Sequence, residues 1–197
     1  MTYPMILLVR HGETEWNVEG RYQGALDSPL TNKGKEQAVE NALKLKTQIS
    51  SFEEIKIFSS PLGRAKSTAL ILCDTLGIDS QKIIFEDAIK EFNYGIFEGK
   101  TKAYCKENYP IVFEARERNK WSYVLEGGES YIMVTARLKH WLESIQEEKE
   151  VIVIAHEMIN RALRGIYCAY SKEQMLQLRQ ANDVVLKLEN TSETILG

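Results

Sequence analysis

The stretch Met5-Ile6-Leu7-Leu8-Val9 is an unbroken apolar run that stops abruptly at Arg10-His11-Gly12-Glu13-Thr14. A short apolar run bounded by polar residues reads as a strand buried on both faces, the kind found in parallel sheets covered by helices. Two further runs have the same form. Ile55-Lys56-Ile57-Phe58 ends in Ser59-Ser60-Pro61 and delivers Arg64 into the first turn of a helix, and Val151-Ile152-Val153-Ile154-Ala155 runs straight into His156. Open α/β sheets bind ligands beyond the carboxyl ends of their strands. If these strands are neighbours, Arg10, His11, Arg64 and His156 converge on one rim and form a cationic pocket with a nucleophile inside it.

The rest of the chain fits that frame. Residues 12 to 30 contain Gly12, Gly20, Gly24 and Pro29, which disfavour regular structure and predict a long loop wrapping the ligand. Thr31 is the expected cap of a helix over 32–49, with Ala38, Ala42, Leu45 and Ile49 on one face. Ser60 with Pro61 predicts the next helix start, and Gly77 its end. Lys82 to Phe85 is a short strand, and Thr101 to Asn119 is helical with a break at Pro110, which predicts a lid over about 100–130. A helix follows Gly127-Gly128, another begins at about Asn160, Ser171 with Gln174 forms a capping box, and Val184 to Leu188 is the final strand. The expected fold class is α/β: three layers, α/β/α, around a mostly parallel central sheet with a helical lid insertion.

At 197 residues without repeats, low-complexity tracts or linkers, the chain is expected to form a single domain over 1–197. A net charge of -3 gives no general attraction to nucleic acid, so anion binding must come from local placement of arginine and histidine. No nucleic-acid partner is expected. Cys73, Cys105 and Cys168 have no CxxC or metal-ligand spacing, which suits free thiols in a reducing cytosol. The apolar run at the start is too short for a signal peptide or a membrane span, so a cytoplasmic, soluble protein without a membrane partner is expected. His140 is read as structural, the cluster Lys100, Lys102 and Lys106 as a solvated face, and the exposed face of helix 32–49 as able to support a homodimer.

Arg10-His11-Gly12 near the N-terminus, followed by Asn17, Arg21-Tyr22-Gln23-Gly24, Asp27 and Pro29-Leu30-Thr31, resembles the histidine phosphatase superfamily, which includes the cofactor-dependent phosphoglycerate mutases. Ser59-Ser60-Pro61-Leu62-Gly63-Arg64-Ala65 resembles the segment bearing the family's second arginine, and Glu91-Phe92-Asn93-Tyr94-Gly95 with Glu98-Gly99 resembles the segment bearing its acid. Tyr109-Pro110 and Gly127-Gly128-Glu129-Ser130 resemble blocks of the compact phosphatase branch, and His156 closes a series that follows the family's order. The resemblance implies a phosphoric monoester hydrolase of the histidine acid phosphatase type, acting on a small phosphorylated substrate. It implies His11, Glu91, Arg10, Arg64 and His156 as catalytic residues and Asn17, Arg21, Gln23, Gly24, Tyr94 and Glu157 as substrate-binding ones. No metal and no cofactor are expected.

Chemistry gives these residue types their tasks. A phosphomonoester is close to a dianion at neutral pH, so a nucleophile needs cations on the nonbridging oxygens, and arginine offers a planar fork that lysine lacks. His11 must attack as neutral imidazole and give a phosphohistidine, while His156, if protonated, would hold the transferring group. The leaving alkoxide needs a proton, and Phe92 and Phe97 make a partly buried, protonated Glu91 the candidate donor. Many family members carry glycine where this chain has Glu157. A carboxylate there either bonds to His156 and raises its pKa, or turns to solvent at a helix N-terminus. The competing readings are a cofactor-dependent phosphoglycerate mutase and an inactive phospho-ligand binding module. The mutases typically carry a paired arginine in the insertion, whereas Glu117 splits Arg116 from Arg118 here.

Overall fold

The computed structural model describes residues 3–196. Its strands are β1 (Met5–Arg10), β2 (Lys56–Ser59), β3 (Ile83–Phe85), β4 (Glu150–Ala155), β5 (Val185–Glu189) and β6 (Ser192–Leu196). They form one sheet in the order β3-β2-β4-β1-β5-β6. The first four are mutually parallel where they pair, and β5 and β6 add an antiparallel edge. The three apolar runs are therefore neighbours, with β4 in the middle. Arg10 pairs with Ala155 and Ser59 with Ile154, so the three strands end level. Beyond them the His11 N–H donates to the Ala155 carbonyl at 3.0 Å and the Ser60 N–H to Ile154 at 3.0 Å. This register sets His156 beside His11.

The helices are α1 (Glu15–Val18), α2 (Asn32–Lys46), α3 (Gly63–Leu76), α4 (Lys102–Asn108), α5 (Pro110–Arg118), α6 (Tyr131–Ser144), α7 (Glu157–Tyr167) and α8 (Lys172–Gln177). Alternation along each strand sorts the core into two halves. Leu7, Val9, Ile57, Ile152 and Ile154 pack on α2 and α3 through Ala42, Leu45, Ala65, Ala69 and Leu72. Ile6, Leu8, Val151 and Val153 pack on α6 and α7 through Leu138, Leu142, Ile159 and Leu163. At about 25 cal/mol per Å² of apolar surface buried, these two faces dominate the stability of the fold. The lid helices α4 and α5 break at Tyr109, as Pro110 predicts, and pack Cys105 and Phe113 on the second half. The lid is tied to the ligand loop where the Tyr22 N–H donates to Lys100 at 3.0 Å and the Gly99 N–H to Tyr22 at 2.8 Å.

Several local expectations need correction. Ser60 does not cap α3: its own N–H is spent on β4, its hydroxyl accepts from Leu62 N–H at 3.3 Å, and Asp27 reaches over to cap Gly63 and Arg64 instead. Helix α7 starts at Glu157 rather than Asn160, directly from an extended His156, and α2 ends at Lys46 rather than 49. The loop after β1 contains α1, which Thr14 and Asn17 close with a capping box. The strand at 185–189 is not the last, because Asn190 and Thr191 turn the chain into β6 with φ of 51° and 58°. Two positive φ values in sequence make the tight hairpin turn whose twist matches that of the strands.

Gly12 and Gly34 allow the loop after β1 to lie directly against the start of α2. A Cβ on Gly12 would sit 2.1 Å from the Gly34 carbonyl oxygen, so both positions exclude side chains. Among the described residues, no helix is long and apolar enough to cross a membrane. Cys73 and Cys105 are buried and Cys168 partly so, all three as free thiols, while His140 is exposed. Lys100 is half-buried and donates to the Ile96 carbonyl at 2.7 Å, so it departs from the solvated face expected for it, which Lys102 and Lys106 keep.

Candidate active site

A cavity of about 250 Å³ opens above the level ends of β1, β2 and β4. Arg10, His11, Asn17, Arg21, Gln23, Gly24, Arg64, Glu91, Tyr94 and Glu157 all line it, so the structure brings together every expected residue but one. His156 lies at the edge of this group, fully buried, with its ring centroid 5.2 Å from that of His11. A larger groove of about 630 Å³ sits at the opposite end of the sheet, by Met5 and Glu150, away from this chemistry.

His11 is oriented by its own neighbour. Its Nδ1 lies 2.8 Å from the Gly12 carbonyl oxygen, and a carbonyl only accepts, so Nδ1 carries the proton and Nε2 holds the free lone pair. The Gly12 N–H is anchored on the Thr68 hydroxyl at 3.0 Å, and Asn182 donates to the His11 carbonyl at 2.6 Å. Burial first, then the charges of Arg64 and Arg10, hold the imidazole well below its ordinary pKa, against a smaller opposing effect of the Gly12 bond. The ring is therefore neutral, as a nucleophile requires. His156 experiences the same burial and the same arginines and is likewise held well below its ordinary range. The protonated form, in which it would act as a cationic donor, is therefore disfavoured, and it is a neutral donor here. Neither ring nitrogen has a protein partner.

The two arginines are held by backbone carbonyls and carboxylates. Arg64 donates from Nη1 to Leu26 at 2.7 Å and Asp27 at 2.9 Å, and from Nη2 to the Gly24 carbonyl at 2.8 Å. Gly24 can serve because its φ is +56° and a Cβ there would lie 1.8 Å from a Glu98 oxygen. Arg10 donates from Nη1 to the Gln180 carbonyl at 2.8 Å and to Glu157 at 3.1 Å. Both guanidiniums keep a buried Nε with no protein acceptor. A buried donor left unpaired costs about 1–3 kcal/mol. Two such donors, together with the single N–H of a neutral His156, are positioned to receive the oxygens of an anion.

Glu91 comes from the irregular segment after β3. Its Oε1 accepts from the Phe92 N–H at 2.8 Å. Burial raises its pKa, outweighing the opposing pull of Arg64, that N–H and Arg10, and so favours the protonated carboxyl. The segment is fixed from α6: Arg137 donates to the Ala88 and Lys90 carbonyls and to Glu129, whose Oε2 accepts from the Asn93 N–H at 3.0 Å. This gives the Gly127-Gly128-Glu129-Ser130 block its physical task, since Gly95 and Gly128 lie too close for a Cβ on either.

The profile of the histidine phosphatase superfamily, branch 1, matches residues 6–195. The chain belongs to this superfamily. It is 32% identical to phosphoserine phosphatase 1 of Hydrogenobacter thermophilus over 94% of this chain and 92% of that protein. It is also 31% identical to a 6-phosphofructo-2-kinase/fructose-2,6-bisphosphatase of Gallus gallus, where 93% of this chain covers only 37% of the relative. Among solved structures, Bacillus stearothermophilus YhfR superposes with a TM-score of 0.79 at 27% identity, covering 98% of this chain and 95% of that one. Phosphatase activity is common to both named relatives.

In this histidine phosphatase, the remaining expected residues take definite places. Asn17 closes the α1 capping box, accepting from the Thr14 N–H at 3.1 Å and its hydroxyl at 3.0 Å. That leaves the Thr14 hydroxyl to accept from Gln23 Nε2 at 2.8 Å. Arg21, at the cavity mouth, pairs with Glu19 and donates to Gly99 at 2.8 Å. The buried Tyr94 ring packs against Tyr22 with centroids 4.7 Å apart and planes tilted by 43°, and burial raises its pKa well above the ordinary value. Glu157 neither bonds to His156 nor turns to solvent. The first turn of α7 faces the end of β1, so Arg10 and Arg161 take its carboxylate.

Sequence reasoning missed Tyr22, Met158 and Arg161 on the cavity wall and the supporting Gln180 and Asn182. Arg161 was discoverable, since it lies one helical turn after Glu157 with the charge order that forms such pairs. Gln180 and Asn182 lie in a loop without a motif. Among the described residues, no group of three or more His, Cys, Asp or Glu side chains is arranged to hold a metal ion.

Proposed function

We propose that the protein is a metal-independent phosphomonoesterase that hydrolyses small phosphorylated metabolites through a phosphohistidine on His11. The carrying observation is the His11 Nδ1 to Gly12 bond, which leaves the Nε2 lone pair in a cavity whose other groups match a phosphoryl dianion. Nε2 attacks phosphorus and the bond to the leaving oxygen breaks, while Glu91 delivers its proton to that oxygen. Water then attacks the phosphohistidine, Glu91 takes the proton back, and phosphate leaves with His11 regenerated. Arg10, Arg64 and neutral His156 donate to the nonbridging oxygens as charge develops. In its nucleophile and acid the chemistry is of the histidine acid phosphatase type.

The cavity volume of about 250 Å³ favours a small leaving group, and likeness to a phosphoserine phosphatase supports a small size without fixing the charge of that group. Hydrolysis is favoured over phosphoglycerate mutase chemistry by Arg116. It is buried 5.3 Å from the Tyr94 ring centroid and paired with Glu117 at 3.1 Å, rather than offered to the cavity. The reading takes residues 1–197 as one catalytic domain. The test is phosphate release from a panel of monoesters in excess EDTA. Steady turnover by the wild type and its loss in His11→Ala, with a native circular dichroism spectrum, support the reading; EDTA-sensitive turnover or full activity in the variant overturns it.

A further inference from the structure

We propose that Glu157 is a specificity-determining residue: it neutralises the wall around the leaving group, so the enzyme favours phosphomonoesters whose leaving alcohol carries no second anion. This rests on the phosphatase reading above and names its substrate class. Glu157 Oε2 accepts from Arg10 Nη1 at 3.1 Å and from the Gln180 N–H at 3.3 Å. Its Oε1 accepts from Arg161 Nε at 2.9 Å and Nη2 at 2.5 Å. A carboxylate has room for about four such bonds, so Glu157 is fully committed and is a positioning residue rather than a ligand for substrate.

Its effect is on Arg161. Arg161 lines the cavity, and the Nε–Nη2 edge of its guanidinium is turned onto one carboxylate oxygen. The side chains of Glu157 and Arg161 are only 15% and 12% exposed, so water screens the pair poorly. Of the three charges in the cluster, one positive charge is left over, and Arg10 is the one beside His11, where phosphate binds. Of the other two cations on the wall, Arg21 is paired with Glu19, and Arg64 is paired with Asp27 and bonded to the Leu26 and Gly24 carbonyls. Glu91 marks the leaving-group end, and Tyr22, Tyr94 and Met158 share the cavity with it. A second phosphate or a carboxylate on the leaving group would meet aromatic rings, a thioether and cations already paired. It would have to break the Glu157–Arg161 pair to gain a cationic partner, because Asn17, Tyr22 and Tyr94 on the same wall offer only neutral donors.

The experiment compares kcat/KM for glycerol 2-phosphate and 2-phosphoglycerate, which share a skeleton and differ by one carboxylate. The wild type is expected to prefer glycerol 2-phosphate. Glu157→Gln frees Arg161 and shifts the ratio toward 2-phosphoglycerate by about ten-fold, the scale of one hydrogen bond to a charged group. Adding Arg161→Met to that variant returns the ratio toward the wild-type value. Loss of the Arg10 contact lowers both rates together, so the ratio isolates the leaving-group effect. A wild-type preference for 2-phosphoglycerate, or a ratio unmoved in Glu157→Gln while turnover persists, overturns the inference alone. Failure of the wild type to hydrolyse either ester or p-nitrophenyl phosphate overturns the phosphatase reading and the inference with it.

Discussion

Asp27 accepts from Arg64 at two points, its Nη1 at 2.9 Å and its backbone N–H at 3.2 Å. One carboxylate from the loop after β1 thus caps α3 and fixes a guanidinium that is itself fully buried. Capping and positioning separate by substitution. Asp27→Asn keeps a good cap and loses the charge partner, so its melting temperature stays near the wild type while KM for phosphomonoesters rises. Asp27→Ala loses both and is destabilised by about 1 kcal/mol, the usual worth of a cap. Thermal melts beside steady-state kinetics check the split.

Glu91→Gln removes the proton that the leaving oxygen requires. Hydrolysis of alkyl phosphates falls by about 10²- to 10⁴-fold, the range of general acid catalysis. p-Nitrophenyl phosphate suffers much less, since nitrophenolate leaves without help. Equal losses on both substrates would remove Glu91 from this role.

Burial of His11 and His156 links stability to pH. Their folded pKa values lie well below the ordinary 6.5, so the unfolded chain takes up protons first as the solution is acidified. The stability they contribute is complete above pH 6.5 and is lost as pH falls through their folded values. Each adds up to about 1.4 kcal/mol per pH unit to the slope. Glu91 has the opposite sign: its folded pKa is raised, so its contribution is complete below the ordinary 4.5 and is lost as pH rises through the folded value. Denaturant melts across this range should steepen below pH 6.5, and His156→Asn should flatten that slope.

The strands that carry the chemistry were legible because burial on both faces demands continuous apolar runs, and the residue after each run must then lie on the rim. Arg10, His11 and His156 follow from that rule with no further information. The supports were harder to read. Asp27 serves as a cap 36 residues before Gly63, a distance no local signal spans. Ser60-Pro61 gave the stronger local cap signal and lost to it, because α3 starts at Gly63 with Leu62 at the cap position and the Ser60 hydroxyl reaches only the Leu62 N–H. Strand β6 was missed since Asn190-Thr191 lacks the glycine that usually marks a two-residue hairpin turn. Glu157 was seen, but its partners come from β1 and from one turn along its own helix, and only the register shows which cation it meets.

The central claim is that phosphate passes through His11 on its way to water. Rapid mixing with p-nitrophenyl phosphate in excess EDTA, quenched in base and followed by peptide mapping, tests it most directly. The account predicts acid-labile phosphate on His11 Nε2 that forms with the nitrophenolate burst and decays at the rate of phosphate release. Turnover with no label on His11, or a label that persists while free phosphate fails to appear, would contradict it.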